Sequence, residues 1–209
     1  MLIKHDQKGF TLIELLIGMT LGMIAISALL SFVGFGIGVN GKTISKSKLA
    51  EETELILDVM SSEIKRSGFT AATIAMIEDP IANASVFRNS IVIGEHPSEA
   101  ANSCILFSYD YNNNGLLDNL GINENFGFRH KNNQIQIRQD AALCDQDDSW
   151  ENISNPLEIV VQSLFFTAAQ VTIDGITRTQ ITIDIVTRSR ATNQMSNSVS
   201  RNFLVRNYD

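Results

Sequence analysis

From Phe10 to Val39 the chain is one near-continuous apolar run whose only charge is Glu14. That is long enough to span a bilayer, which needs about 20 apolar residues. As a single helix it would reach about 45 Å at 1.5 Å per residue. The hydrocarbon layer is roughly 30 Å thick, so the distal part is expected to emerge and pack on protein. Gly18, Gly22, Gly34, Gly36 and Gly38 punctuate the run. Small residues let helices approach closely in lipid, and the last three mark a point where the helix could loosen. Asn40-Gly41-Lys42 closes the apolar run and a different helical pattern follows. Leu49, Thr53, Ile56, Met60 and Ile64 share one face with Leu57 beside them, and Lys46, Lys48, Glu51, Glu52, Glu54, Asp58 and Lys65 take the other. This spacing predicts an amphipathic helix over 40–67, stopped by Ser67-Gly68. Its stripe reads as core packed against a sheet.

After Gly68 the period changes. Ser90–Ile93, Cys104–Tyr109, Phe126–Arg129 and Ile135–Arg138 read as short strands between Asn, Gly and Pro turns. His130-Lys131-Asn132-Asn133 reads as the hairpin loop joining the last two. Leu157–Phe166, Gln180–Thr187 and Arg201–Val205 are stronger strands. In the middle one Ile181, Ile183 and Ile185 alternate with Thr182, Asp184 and Val186, which predicts one buried face. The polar, Asn- and Ser-rich stretch Arg190–Ser200 is expected to be a mobile loop. The fold class is α+β, a long N-terminal helix packed on an antiparallel sheet.

Glu14 sharpens the reading of the apolar run. A carboxylate within hydrocarbon costs about 2.5–3.5 kcal/mol on insertion scales, so an intramembrane Glu is a functional candidate. On these grounds alone an ordinary signal anchor, with Glu14 near its end, reads equally well. A secretory signal peptide has small residues at a cleavage site after its apolar core. Here Gly9 precedes the run and no such site bounds its far end. The stretch KGFTLIELLIGMTLGM resembles the type III signal of type IV pilins and pseudopilins. The resemblance implies a prepilin peptidase cut between Gly9 and Phe10, N-methylation of Phe10, and Glu14 as the fifth mature residue, acting in subunit assembly. Residues 1–9 are then a leader, 10–39 the membrane and assembly helix, and 40–209 the head.

Further stretches, SSEIKRSGF, CILFSYDYNNNG and the terminal RNFLVRN, resemble PilW-type minor pilins, with the GspJ-type pseudopilin of type II secretion as the alternative. The resemblance implies a structural subunit of a small initiating complex near a pilus tip, whose partners are other minor pilins, the major pilin and prepilin peptidase. A tip adhesin is the rival of another class. Lys4 and Lys8 precede the span, and positive residues favour the cytoplasmic side. A single-pass inner-membrane protein with a periplasmic head is expected. Formal charge is −7, or −8 after a leader carrying Lys4 and Lys8 against Asp6. That balance argues against a broad electropositive surface, so no nucleic-acid partner is expected. In an exported head, Cys104 and Cys144 read as one disulfide. It would close a loop of about 40 residues, worth roughly 4 kcal/mol in the chain-entropy account.

Asp110, Asn112, Asn114 and Asp118, with Gly115 between them, fit the first half of an EF-hand-like calcium loop. Position twelve is Gly121, where a bidentate Glu is expected, and Glu124 lies three residues beyond. The alternative is an Asn-rich turn held by side-chain to backbone bonds. Weak calcium binding at most, and no other cofactor, is the expectation. His5 falls in the leader, His96 in a loop where a surface role is expected, and His130 in a hairpin. There is no HExxH, P-loop, GxSxG or CxxC motif, and no enzymatic activity is expected.

Overall fold

A computed structural model of the chain describes residues 9–71, 78, 84–118, 121–191 and 195–205. The leader before Gly9 lies outside them. The chain divides into two compact units, Met1–Ser45 and Lys46–Asp209, a few residues beyond the boundary expected at 39/40.

One helix, α1, runs from Leu12 to Ile64 without a break. The loosening expected at Gly34, Gly36 and Gly38, or at Asn40-Gly41-Lys42, is not seen. Isolated glycines cost a helix only about 1 kcal/mol each against Ala, and no Pro removes a backbone donor here. Among the described residues α1 is the one helix long and apolar enough to cross a membrane. Its large apolar side chains between Leu12 and Ile37 are all more than half exposed. Beyond Lys46 the expected stripe is buried: Leu49, Thr53, Ile56, Leu57, Met60 and Ile64. The helix ends in a turn at Lys65–Gly68, where Gly68 takes φ 78°. That left-handed position suits glycine.

Two antiparallel sheets follow, not one. The first is a meander of β1 (Val92–Gly94), β2 (Cys104–Ser108), β3 (Asn125–Lys131), β4 (Gln134–Arg138) and β5 (Trp150–Asn152), in that order. The second is β6 (Ile159–Ile173), β7 (Ile176–Ser189) and β8 (Ser196–Leu204). His130 and Lys131 belong to β3, and the β3–β4 loop is only Asn132-Asn133, at φ 52° and 61°. Two residues with φ > 0 make the tight hairpin whose twist matches the strands. Asp174-Gly175 does the same between β6 and β7, which carries both strands well past their expected ends. A bulge between Val161 and Ser163 lets β6 change register once.

The polar stretch expected as a loop over Arg190–Ser200 instead supplies most of β8. Its inward positions are Asn197, Val199, Arg201 and Phe203, and β7 offers a long edge to pair with. One apolar cluster joins the α1 stripe to Ile105, Phe107, Tyr109, Phe128 and Ile135 of the first sheet. It also takes in Val161, Leu164, Phe166, Ile181, Ile183, Ile185 and Phe203 of the second. A buried Thr53–Thr187 hydroxyl contact of 2.7 Å satisfies the one polar residue on the stripe.

Candidate assembly site at the start of the helix

Thr11 is the residue before α1 and Glu14 sits in its first turn. The Thr11 backbone N–H donates to Glu14 Oε2 at 2.9 Å, and the Thr11 hydroxyl donates to the same oxygen at 2.8 Å. The Glu14 N–H returns a longer bond to Thr11 Oγ1 at 3.4 Å. This is a capping box, which satisfies two of the donors a helix start leaves open. Thr11-x-x-Glu14 carries the capping-box signature in the sequence itself. The negative charge also suits the positive end of the helix dipole. Phe10 is 90% exposed, and a Cβ on Gly9 would meet nothing within 4 Å. Nothing in the fold of the chain therefore requires glycine at position 9.

Far along the sequence, the Asp110 loop is organised by two carboxylates. Asp110 accepts the N–H groups of Ala71, Asn114 and Gly115 at 2.9, 3.0 and 3.0 Å. Glu124, fully buried, accepts those of Tyr111 and Asp118 at 2.8 and 2.9 Å. The chain path thus brings Glu124 back beside the loop, although it stands three residues too far for an EF-hand. The amide groups of Asn112 and Asn114 both donate to Asp118 Oδ2 at 2.7 Å. Among the described residues no group of three or more His, Cys, Asp or Glu side chains is arranged to hold a metal. The residues fit a turn closed by its own side chains better than an open oxygen cage.

Cys104 and Cys144 are bonded, with S–S 2.10 Å and Cα–Cα 6.1 Å. Beside them Arg129 is fully buried. It donates to the carbonyls of Cys144 and Gln146 and to Gln136, and lies over the Trp150 ring at 4.2 Å. Burial draws its guanidinium down to about 10, which still leaves it charged at neutral pH. A buried Arg in a short strand carries no sequence signal of its own.

His96 is buried rather than on the surface. Its Nδ1 accepts the Ser98 N–H at 3.2 Å, so Nε2 carries the proton toward Asp147 at 3.2 Å. Burial, with Lys131 and Arg129 nearby, holds this imidazole below its usual value. His130 bridges Glu99 at 2.8 Å and the Val161 carbonyl at 3.0 Å. Both histidines serve the packing of the head.

A long apolar helix with a carboxylate fixed in its first turn, followed by antiparallel sheets, defines a type IV pilin-like protein. The prokaryotic N-terminal methylation motif matches residues 4–30. Residues 42–205 match prepilin peptidase-dependent protein B, and the chain belongs to that family. No curated protein and no solved structure matches it. Membership makes this a pilin-like structural protein, with processing by prepilin peptidase and a setting of pilus assembly.

Proposed function

We propose that the chain is a minor pilin of a type IV pilus, of the PilW type. It is a non-enzymatic subunit of an initiating or tip complex that primes assembly with other minor pilins and the major pilin. In this reading prepilin peptidase cuts between Gly9 and Phe10 and Phe10 is N-methylated. The processed chain waits in the inner membrane with a periplasmic head, then joins the pilus near its tip. No cofactor is needed, and the Asp110–Asp118 loop has at most weak calcium affinity.

The observation that carries the reading is Glu14, a lone carboxylate held by Thr11 at the start of an exposed apolar helix. Once the leader is removed, the Phe10 amine lies within about one turn of Glu14 on the same helix. Amine and carboxylate are each costly in an apolar setting, and pairing offsets much of that cost. Both Thr11 bonds go to the same oxygen, Oε2, and the amine and Glu14 belong to one rigid helix, so the amine of a neighbour displaced along the axis is the partner better placed to meet the carboxylate. The freedom around Gly9 fits a glycine required by the peptidase and not by the fold.

Glu14→Ala should insert and be processed as wild type does, yet fail to copurify with other pilins, and surface pili should fall. That change also removes the cap, worth about 0.5–2 kcal/mol. Thr11→Val, which weakens the cap and keeps the carboxylate, separates the two effects. Full partner recovery by Glu14→Ala would end the assembly role of this carboxylate.

A further inference from the structure

β6 is an edge strand, in a sheet of order β6-β7-β8. Near its middle the outer edge is closed, because the Phe166 N–H donates to the Asn102 carbonyl at 2.9 Å. Backbone groups of alternate residues point to the same side of a strand. The N–H and C=O groups of Ala168, Gln170 and Thr172 therefore point outward along that same edge. Among the described residues no backbone group bonds them there. β8 pairs with β7 only from Gln180, with one further bond from the Val205 N–H to the Thr179 carbonyl. Residues 167–173 and 176–178 thus form a ribbon of two strands. From position 167 to 174 every residue is exposed or half-buried, with Ile173 46% exposed. Two strands alone are marginally stable in water, so this ribbon gains most from a third.

Natural edge strands are kept from pairing with other chains by shortness, charge, proline or a bulge. The other edges here follow that rule: β1 and β5 have three residues each, β5 carries Glu151, and β8 carries Arg201. Residues 167–173 of β6, TAAQVTI, hold no charge, proline or glycine. The bulge of β6 lies before them, between Val161 and Ser163. Thr, Val and Ile favour strands. The stretch is a seven-residue template for strand addition. On a chain of net charge −7 it also lets a second, equally acidic copy approach without setting like charges opposite each other.

We propose that this edge pairs antiparallel with the same edge of a second copy of the chain, about a two-fold axis at Gln170. In that register Gln170 faces Gln170 of the partner subunit, and Ala168 faces Thr172 of the partner subunit. Shifting the register by one step in either direction loses an outward residue, to the Asn102 bond at Phe166 or to the Asp174-Gly175 turn. Only the register centred on Gln170 gives all three outward residues ladder partners. A seven-residue ladder is too small to reach the roughly 1,200 Å² of a lasting interface. The pair therefore forms where the apolar helix confines copies to one membrane and raises their effective concentration. The proposal goes beyond the minor-pilin reading and does not depend on it.

The test is oxidative thiol crosslinking of the full chain in its own membranes. Directly opposed residues that exchange ladder bonds have Cα atoms about 5.5 Å apart, within the roughly 4.4–6.8 Å that a disulfide spans. Gln170→Cys should give a covalent dimer. Ala168→Cys and Thr172→Cys, carried on two differently tagged copies in one cell, should crosslink to each other. Either of those variants alone sets its thiols four residues apart along the ladder, about 13 Å, and should crosslink at least tenfold less. Adding Thr172→Pro to Gln170→Cys removes an outward N–H that the fold of the chain does not use, and should cut the dimer at least tenfold. The intact Cys104–Cys144 bond reports that each variant folds. Equal yields at 168, 170 and 172 would mean random collision and overturn the proposal. So would the absence of a dimer with Gln170→Cys in a folded chain, capture of a different protein by the thiol at 170, or a dimer indifferent to Thr172→Pro. None of these results bears on whether the chain copurifies with other pilins.

Discussion

Gly127 shows how closely single atoms constrain the head. A Cβ there would stand 2.7 Å from the Ile105 carbonyl oxygen and 2.9 Å from Leu106 Cδ2. The first is backbone and cannot swing aside. Gly127→Ala is expected to destabilise the protein by about 1–3 kcal/mol, the usual cost of overpacking, read as a lower denaturation midpoint of the full chain in detergent. His96 sets a pH dependence of definite sign. Its folded imidazole is held below the ordinary value of 6.5 by burial first and nearby cations second. Below about pH 6.5 the unfolded chain therefore binds the proton more readily, and stability falls until the folded imidazole itself titrates. Comparing melting at pH 7.5 and 5.5, His96→Gln should lose less than wild type. Equal losses would remove His96 from the account. The sequence placed His96 on the surface because His-Pro marks a loop, and burial of a loop residue depends on contacts from elsewhere, here Asp147.

Among the elements, those that carry their own period were legible. The α1 stripe from Leu49 to Ile64 and the Ile181-Ile183-Ile185 alternation lie buried where the pattern put them. β8 was missed because its period-2 signal is sparse. Met195, Val199, Phe203 and Val205 alternate, but Asn and Ser fill the gaps, and pairing with β7 decides the outcome. The Asp174-Gly175 turn lies between the strands expected to end at Phe166 and to begin at Gln180, and it explains the long β6–β7 hairpin that those bounds missed. At the Asp110 loop, oxygen spacing read from sequence cannot show that side-chain oxygens already accept backbone N–H groups. A dissociation constant of about 1 mM would add only about 0.4 kcal/mol at 1 mM calcium, under roughly 2 °C in melting temperature. The expected shift is no larger, and a rise above roughly 5 °C in calorimetry would establish a real calcium site.

At the scale of the whole molecule, two units carry two kinds of chemistry. The N-terminal stretch presents apolar surface and a single fixed carboxylate. The head buries its own core and closes one disulfide. Both the long N-terminal apolar helix and the N-terminal methylation motif were legible in the sequence, because each is local and compositional. The two-sheet layout was not, since sheet order depends on pairings between distant strands. The central claim is that this chain is a processed pilin subunit, and intact-mass analysis of the protein isolated from membranes tests it most directly. In cells with prepilin peptidase, the account predicts a chain whose first residue is Phe10, carrying one added methyl group on its amine. Without the peptidase it predicts a chain that still carries the residues before Phe10 and still resides in the membrane. An unprocessed chain in peptidase-bearing cells, or a cut beyond the apolar run, would contradict it.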